Sequence, residues 1–130
     1  MSFIYLASPY SHSEASIREA RFKEAEAATV WFLKQKVWVY SPIVHCHALA
    51  KEHNLPTDAG FWQEFNHTMI ERSSGVIVLG IEGWQESKGV KDEISFAREM
   101  GLEVSLVSWT SQGYKYKLLA SQIPYHAQTD

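Results

Sequence analysis

The chain has a single cysteine, Cys46, in 130 residues. One thiol cannot close an internal disulfide, so a disulfide framework is excluded and a reducing, cytoplasmic setting is expected. Long apolar runs are missing as well. No stretch approaches the ~20 residues of a membrane-spanning helix, and the opening Met1-Ser-Phe-Ile-Tyr-Leu-Ala7 lacks the basic start and extended apolar core of a secretion signal. Neither sign of charge dominates: at a formal net charge of −3, nothing draws the chain to a nucleic-acid polymer or to an anionic membrane, and neither is expected as a partner. No internal repeat, linker or low-complexity tract interrupts the chain, so residues 1–130 are expected to form one domain.

What is present is an alternation of short apolar runs with longer helical patterns. Phe3 to Ala7, ended by Ser8-Pro9, reads as a first strand. Glu14 to Lys34 carries small and apolar residues at helical spacing, and Val37 to Tyr40, stopped by Ser41-Pro42, reads as a second strand. A His-rich segment follows, helical from about His47, then a loop from Leu55 to Gly60 and a helix from Phe61 to Arg72. Gly75 to Gly80 is a third strand, Gly89 to Met100 a helix closed by Gly101, and Glu103 to Val107 a fourth strand; a short helix around Tyr114 to Ala120 would end the pattern. Strands alternating with helices imply right-handed crossovers. The expected fold is a single-domain, three-layer, Rossmann-like (flavodoxin-like) α/β sandwich with a parallel sheet of four to five strands. Ligands of such sheets bind beyond the carboxyl ends of the strands, so Ser8-Pro9-Tyr10, Ser41-Pro42 and the stretch from Gly80 to Ser87 should wall one pocket.

One carboxyl stands out on that edge. With a helix starting near Ser87, the neighbours of Glu93 three and four places away are Gly89, Val90, Phe96 and Ala97, so no cation on its own helix can pair with it. Asp92, by contrast, has Lys88 four places back and reads as a solvated pair. Glu93 is therefore either a surface residue at the margin of an apolar stripe or a functional group kept in a cleft. Asn66 shares a helical stripe with Trp62, Met69 and Ile70 and should point inward. His45, Cys46, His47 and His53 offer metal-ligating atoms, but there is no H-E-x-x-H motif and no second cysteine, so neither metal nor cofactor is expected. Trp31, Trp38 and Trp109 are expected in the core or at a subunit interface, and Trp62 and Trp84 are candidates to stack on a ligand.

Ile4-Tyr-Leu-Ala-Ser-Pro-Tyr10, an Arg in the first helix, Val39-Tyr-Ser-Pro-Ile-Val-His45, Gly83-Trp84 and Ser87-Lys-Gly-Val-Lys-Asp-Glu93 together resemble the nucleoside 2-deoxyribosyltransferase superfamily, with a more distant likeness to 2′-deoxynucleoside 5′-monophosphate N-glycosidases. The resemblance runs from about Phe3 to Val107. It implies that Glu93 is a nucleophile attacking the anomeric carbon of a sugar, through a covalent glycosyl ester that water or another base resolves. It also implies catalytic support from Tyr5 and Asn66, although the family usually has an aspartate where this chain has Asn66. Ser87, with Gly89 and Val90 at a helix start, would hold a 5′-phosphate. Ser8, Pro9, Tyr10, Arg21, His45 and Trp62 would complete the substrate site, with His47 beside His45 on the base or sugar side. The partner is then a small nucleoside or nucleotide, and a homo-oligomer is implied. The alternative, from a different class, is a non-catalytic nucleotide-binding protein that has lost the acid at position 66.

Overall fold

A computed structural model describes residues 2–118. Its elements are β1 (Ile4–Ala7), α1 (Ala15–Lys34), β2 (Val39–Tyr40), α2 (Pro42–His53), α3 (Ala59–Arg72), β3 (Val76–Leu79), α4 (Lys88–Glu99), β4 (Val104–Thr110) and β5 (Gly113–Leu118). The five strands form one sheet in the order β2-β1-β3-β4-β5. β1 pairs in parallel with β2 and β3, and β3 with β4, whereas β5 runs antiparallel to β4. The fold is thus mixed α/β. Among the described residues, no helix is long and apolar enough to cross a membrane.

Alternation along the strands sends side chains to two helical layers. Tyr5, Ala7, Val76, Val78 and Val104 pack with Ile70 of α3 and with Val90 and Ala97 of α4. On the opposite face Leu6, Ile77, Leu79 and Val107 pack with Ala28 and Phe32 of α1. β3 is buried along its whole length, which explains its unbroken Val-Ile-Val-Leu run. Burial of each large apolar side chain in these clusters contributes about 1.5–3 kcal/mol.

Three segments differ from the expectation. α2 begins at Pro42, not near His47: Ser41 is an N-cap whose Oγ accepts from Val44 N at 3.1 Å, and Pro42 occupies the first helical turn, where its missing N–H costs nothing. α3 begins at Ala59 because Asp58 caps it, accepting from Phe61 N at 3.1 Å. The segment from Tyr114 is a strand, not a helix, so the sheet gains an antiparallel edge; Leu119 and Ala120 lie outside the described residues. Thr110 opposes Gly113 across a two-residue turn, and Thr110 Oγ1 accepts from Gln112 N at 3.2 Å. Gly113 is required there, since its φ is +110° and a Cβ would lie 2.9 Å from the Trp31 ring. Trp31 packs edge-on against Phe32 and Tyr114, while Trp38 and Trp109 are surface residues, 46% and 63% exposed, not core ones.

Gly101 does close α4. Its φ of +76° lets Gly101 N reach Arg98 O and Leu102 N reach Ala97 O, at 3.0 and 2.9 Å.

Candidate functional site

Chain order reverses at β1, since β2 lies on one side of it and β3 on the other. A cavity of about 700 Å³ opens at the carboxyl ends of these strands. Its wall takes Ser8 and Tyr10 from beyond β1, Pro42, Ile43 and Cys46 from α2, and Gly83 with Ser87 to Gly89 from the stretch leading into α4. Asp58, Trp62, Gln63 and Asn66 close it from α3 and its cap, and Asp92 and Glu93 from α4. The three loops expected to share one edge do share it.

Glu93 lines this cavity and is only 6% exposed. Tyr5 Oη donates to its Oε2 at 2.5 Å, and Asn66 Nδ2 donates to the same oxygen at 3.4 Å. Both bonds fall on Oε2, and among the described residues no hydrogen bond falls on Oε1. Burial pushes the Glu93 carboxyl up to about 8; the Tyr5 hydrogen bond opposes that rise and the neighbouring Asp92 charge adds to it. The Tyr5 phenol is itself pushed well above its ordinary range by burial and by Glu93, so it remains a donor. Glu93 thus lies in a cleft and not at the surface.

Ser87 caps α4, its Oγ accepting from Val90 N at 3.1 Å. The Val90 N–H is therefore already satisfied, and its side chain lies in the core, 1% exposed; Val90 is not a ligand contact. The first helical N–H groups have no partner within the helix, so those of Lys88 and Gly89, both on the cavity wall, are the ones that could meet an anion. Ser87→Ala should lower stability by about 1 kcal/mol through loss of the cap, read as a lower urea midpoint at unchanged slope.

Arg21 reaches the wall from α1. Its Nη1 donates to Ser11 O at 2.9 Å, and its Nη2 lies where a Cβ on Gly83 would fall, at 2.4 Å. With a φ of +92° as well, Gly83 is the residue that lets the guanidinium lie against the loop after β3. Ser8 Oγ is buried on the wall without a protein hydrogen-bond partner among the described residues, an acceptor and donor that the cavity's contents must satisfy. Trp62 is on the wall, with Nε1 donating to Pro56 O at 2.9 Å.

Other expected contacts fall elsewhere. Pro9 is fully buried behind the wall. His45 is exposed on α2, stacked on Phe65 at 5.5 Å and outside the cavity. His47, two places on, turns to the other side of α2, where Phe22 stacks on it at 4.2 Å. Its Nδ1 meets Tyr10 Oη at 2.7 Å and its Nε2 meets Glu19 Oε1 at 2.9 Å. Tyr10 thus lines the cavity while its hydroxyl is held by His47. Trp84 packs against the α3 and α4 core cluster, off the wall. Among the described residues no group of three or more His, Cys, Asp or Glu stands close enough to hold a metal ion.

Asp92 also differs from its expected place. Instead of pairing with Lys88, it reaches across to α3: Gln63 Nε2 donates to Oδ1 at 3.0 Å and His67 Nε2 lies 2.6 Å from Oδ2. Helix spacing could not reveal a bond between helices. Cys46 also escaped notice as a wall residue; burial pushes its thiol up to about 11, which keeps it protonated.

No curated protein matches the chain. Residues 2–109 match the family described as a domain of unknown function (DUF1937), so the fold and cavity set out above belong to a chain that is a member of that family.

Proposed function

We propose that the chain cleaves, or transfers across, the N-glycosidic bond of a (deoxy)nucleoside 5′-monophosphate, with Glu93 as nucleophile. The observation that carries this reading is a buried carboxyl on a cavity wall, held through one oxygen by Tyr5 and Asn66. The strand order supports a Rossmann-like, flavodoxin-like sandwich, apart from its antiparallel edge, and the cavity lies at the reversal of strand order where such sheets bind ligands. The N-terminus of α4, with Lys88 and Gly89, would take the phosphate, and the unpartnered Ser8 hydroxyl and Arg21 would complete the polar contacts.

In the first step a Glu93 oxygen forms a bond to C1′ while the C1′–N bond breaks, its electron pair leaving with the base, which gains a proton. In the second, water attacks C1′, the ester bond breaks, and the sugar phosphate leaves with Glu93 restored. Attack requires the ionised carboxylate. Since the Glu93 carboxyl sits near 8, kcat/KM should rise about tenfold per pH unit between 6 and 7 and stop gaining from Glu93 ionisation above about 8.

Incubating the protein with deoxy- and ribonucleoside monophosphates should release free base, read by chromatography. Acid quenching should leave a sugar-phosphate adduct on the peptide bearing Glu93, read by mass spectrometry. Nucleotide binding without base release would sink the glycosidase reading in favour of a nucleotide-binding protein, which the amide at position 66 favours because it cannot supply a titratable proton. A homo-oligomer belongs to the same proposal: Phe61, Phe65 and Trp109, 51%, 42% and 63% exposed, offer apolar surface for a second copy.

A further inference from the structure

The departing base needs a proton, and Asn66 has none to give. The same two helices hold another carboxyl in the cavity wall. α3 presents Gln63, Asn66 and His67 on one face, at three- and four-residue spacing, and α4 meets that face with two consecutive acids. Asn66 bonds Glu93, while Gln63 and His67 take one oxygen each of Asp92. His67 is in turn held face to face with Phe96, 3.9 Å between ring centroids and 8° from parallel, so its ring has a set orientation. Asp92 lines the cavity and His67 stands behind it. This is the layering of a proton donor at a site and a group that orients it.

We infer that Asp92, oriented by His67, is the catalytic acid that protonates the leaving base, doing from α4 what Asn66 cannot do from α3. The assignment rests on the Glu93 reading. In the proposed step a proton held by the Asp92–His67 pair passes from Asp92 to the base nitrogen as the C1′–N bond breaks and C1′ bonds to Glu93. When water later attacks C1′, the proton it sheds returns to the Asp92–His67 pair, so the cycle closes with no other reactant. Gln63 and His67 are positioning residues in this scheme, since they act through Asp92.

A base that leaves without needing a proton separates this role from a merely structural tie between α3 and α4. The probe is a deoxyguanosine monophosphate methylated at N7, whose purine already carries positive charge, compared with the unmethylated nucleotide. Asp92→Asn, which keeps the shape of the side chain, should lose roughly 100-fold or more in kcat on the unmethylated substrate but about tenfold or less on the methylated one. His67→Gln should show the same selective loss to a smaller degree, and thermal melts would confirm that both variants fold. Equal losses on the two substrates, or no loss on the unmethylated one, would overturn the assignment while leaving Glu93 intact as nucleophile. Failure of the unaltered protein to release either base would overturn the Glu93 reading, and this one with it.

Discussion

Glu93→Gln should melt more than about 10 °C above the unaltered protein at pH 9 and close to it at pH 4, while its base release falls at least about 10³-fold. The stability half follows from linkage. Unfolded, the carboxyl titrates near its ordinary 4.5; folded, it titrates near 8. Between these values the native state keeps a proton that the unfolded chain has shed. Stability is therefore fully present below 4.5, falls as pH rises through the window, and levels off above about 8. Over that interval the loss amounts to roughly 5 kcal/mol. Gln keeps the shape of the neutral side chain and can still accept the Tyr5 hydrogen bond, but it never ionises, so it avoids the whole loss. A melting curve for both proteins across pH 4 to 9 checks this, and parallel curves would show that Glu93 is not desolvated. The activity half follows because an amide cannot form the ester; about 10³-fold corresponds to ~4 kcal/mol of transition-state stabilisation. A group that destabilises the protein when charged and, in the proposed reaction, acts when charged is the pattern expected of a functional site.

Tyr5→Phe is the second large effect. Tyr5 is fully buried, and its hydroxyl supplies the hydrogen bond that opposes the rise of the Glu93 carboxyl. Removing it should push that carboxyl further up and move the rising limb of kcat/KM to higher pH. A hydrogen bond to a charged group is worth about 1.5–3 kcal/mol, so the variant should lose roughly 10- to 100-fold at pH 7 and recover part of it at pH 9. The ring stays in the core against Tyr40, which limits damage to the fold. Loss that is uniform across pH would assign Tyr5 to orientation of Glu93 alone.

Local pattern exposed much of this architecture. The short apolar runs before Ser8-Pro9 and Gly80 marked β1 and β3 because both are buried on two faces and carry no polar alternation. Glu93 was conspicuous because its own helix offers it no cation. The start of α2 differs from the expected one because a Ser-Pro pair can end a strand and cap a helix with the same residues, and Ser41-Pro42 does both. The segment from Tyr114 is a strand because it pairs with β4 across the two-residue turn before Gly113, and that pairing outweighs the helical reading of its own spacing.

The order of strands and helices, the crossovers and a Glu93 carboxyl with no cation at helical spacing follow from apolar periodicity and helix spacing, which depend only on near neighbours in the chain. Packing between α2, α3 and α4 decided which side of each helix faces the cavity. It turned His45 out and His47 away, buried Val90, tied Asp92 to His67 and Gln63, and brought Tyr5 and Asn66, 88 and 27 residues away in sequence, to Glu93. Such contacts are set by the rotation and spacing of whole elements, which no local spacing rule encodes.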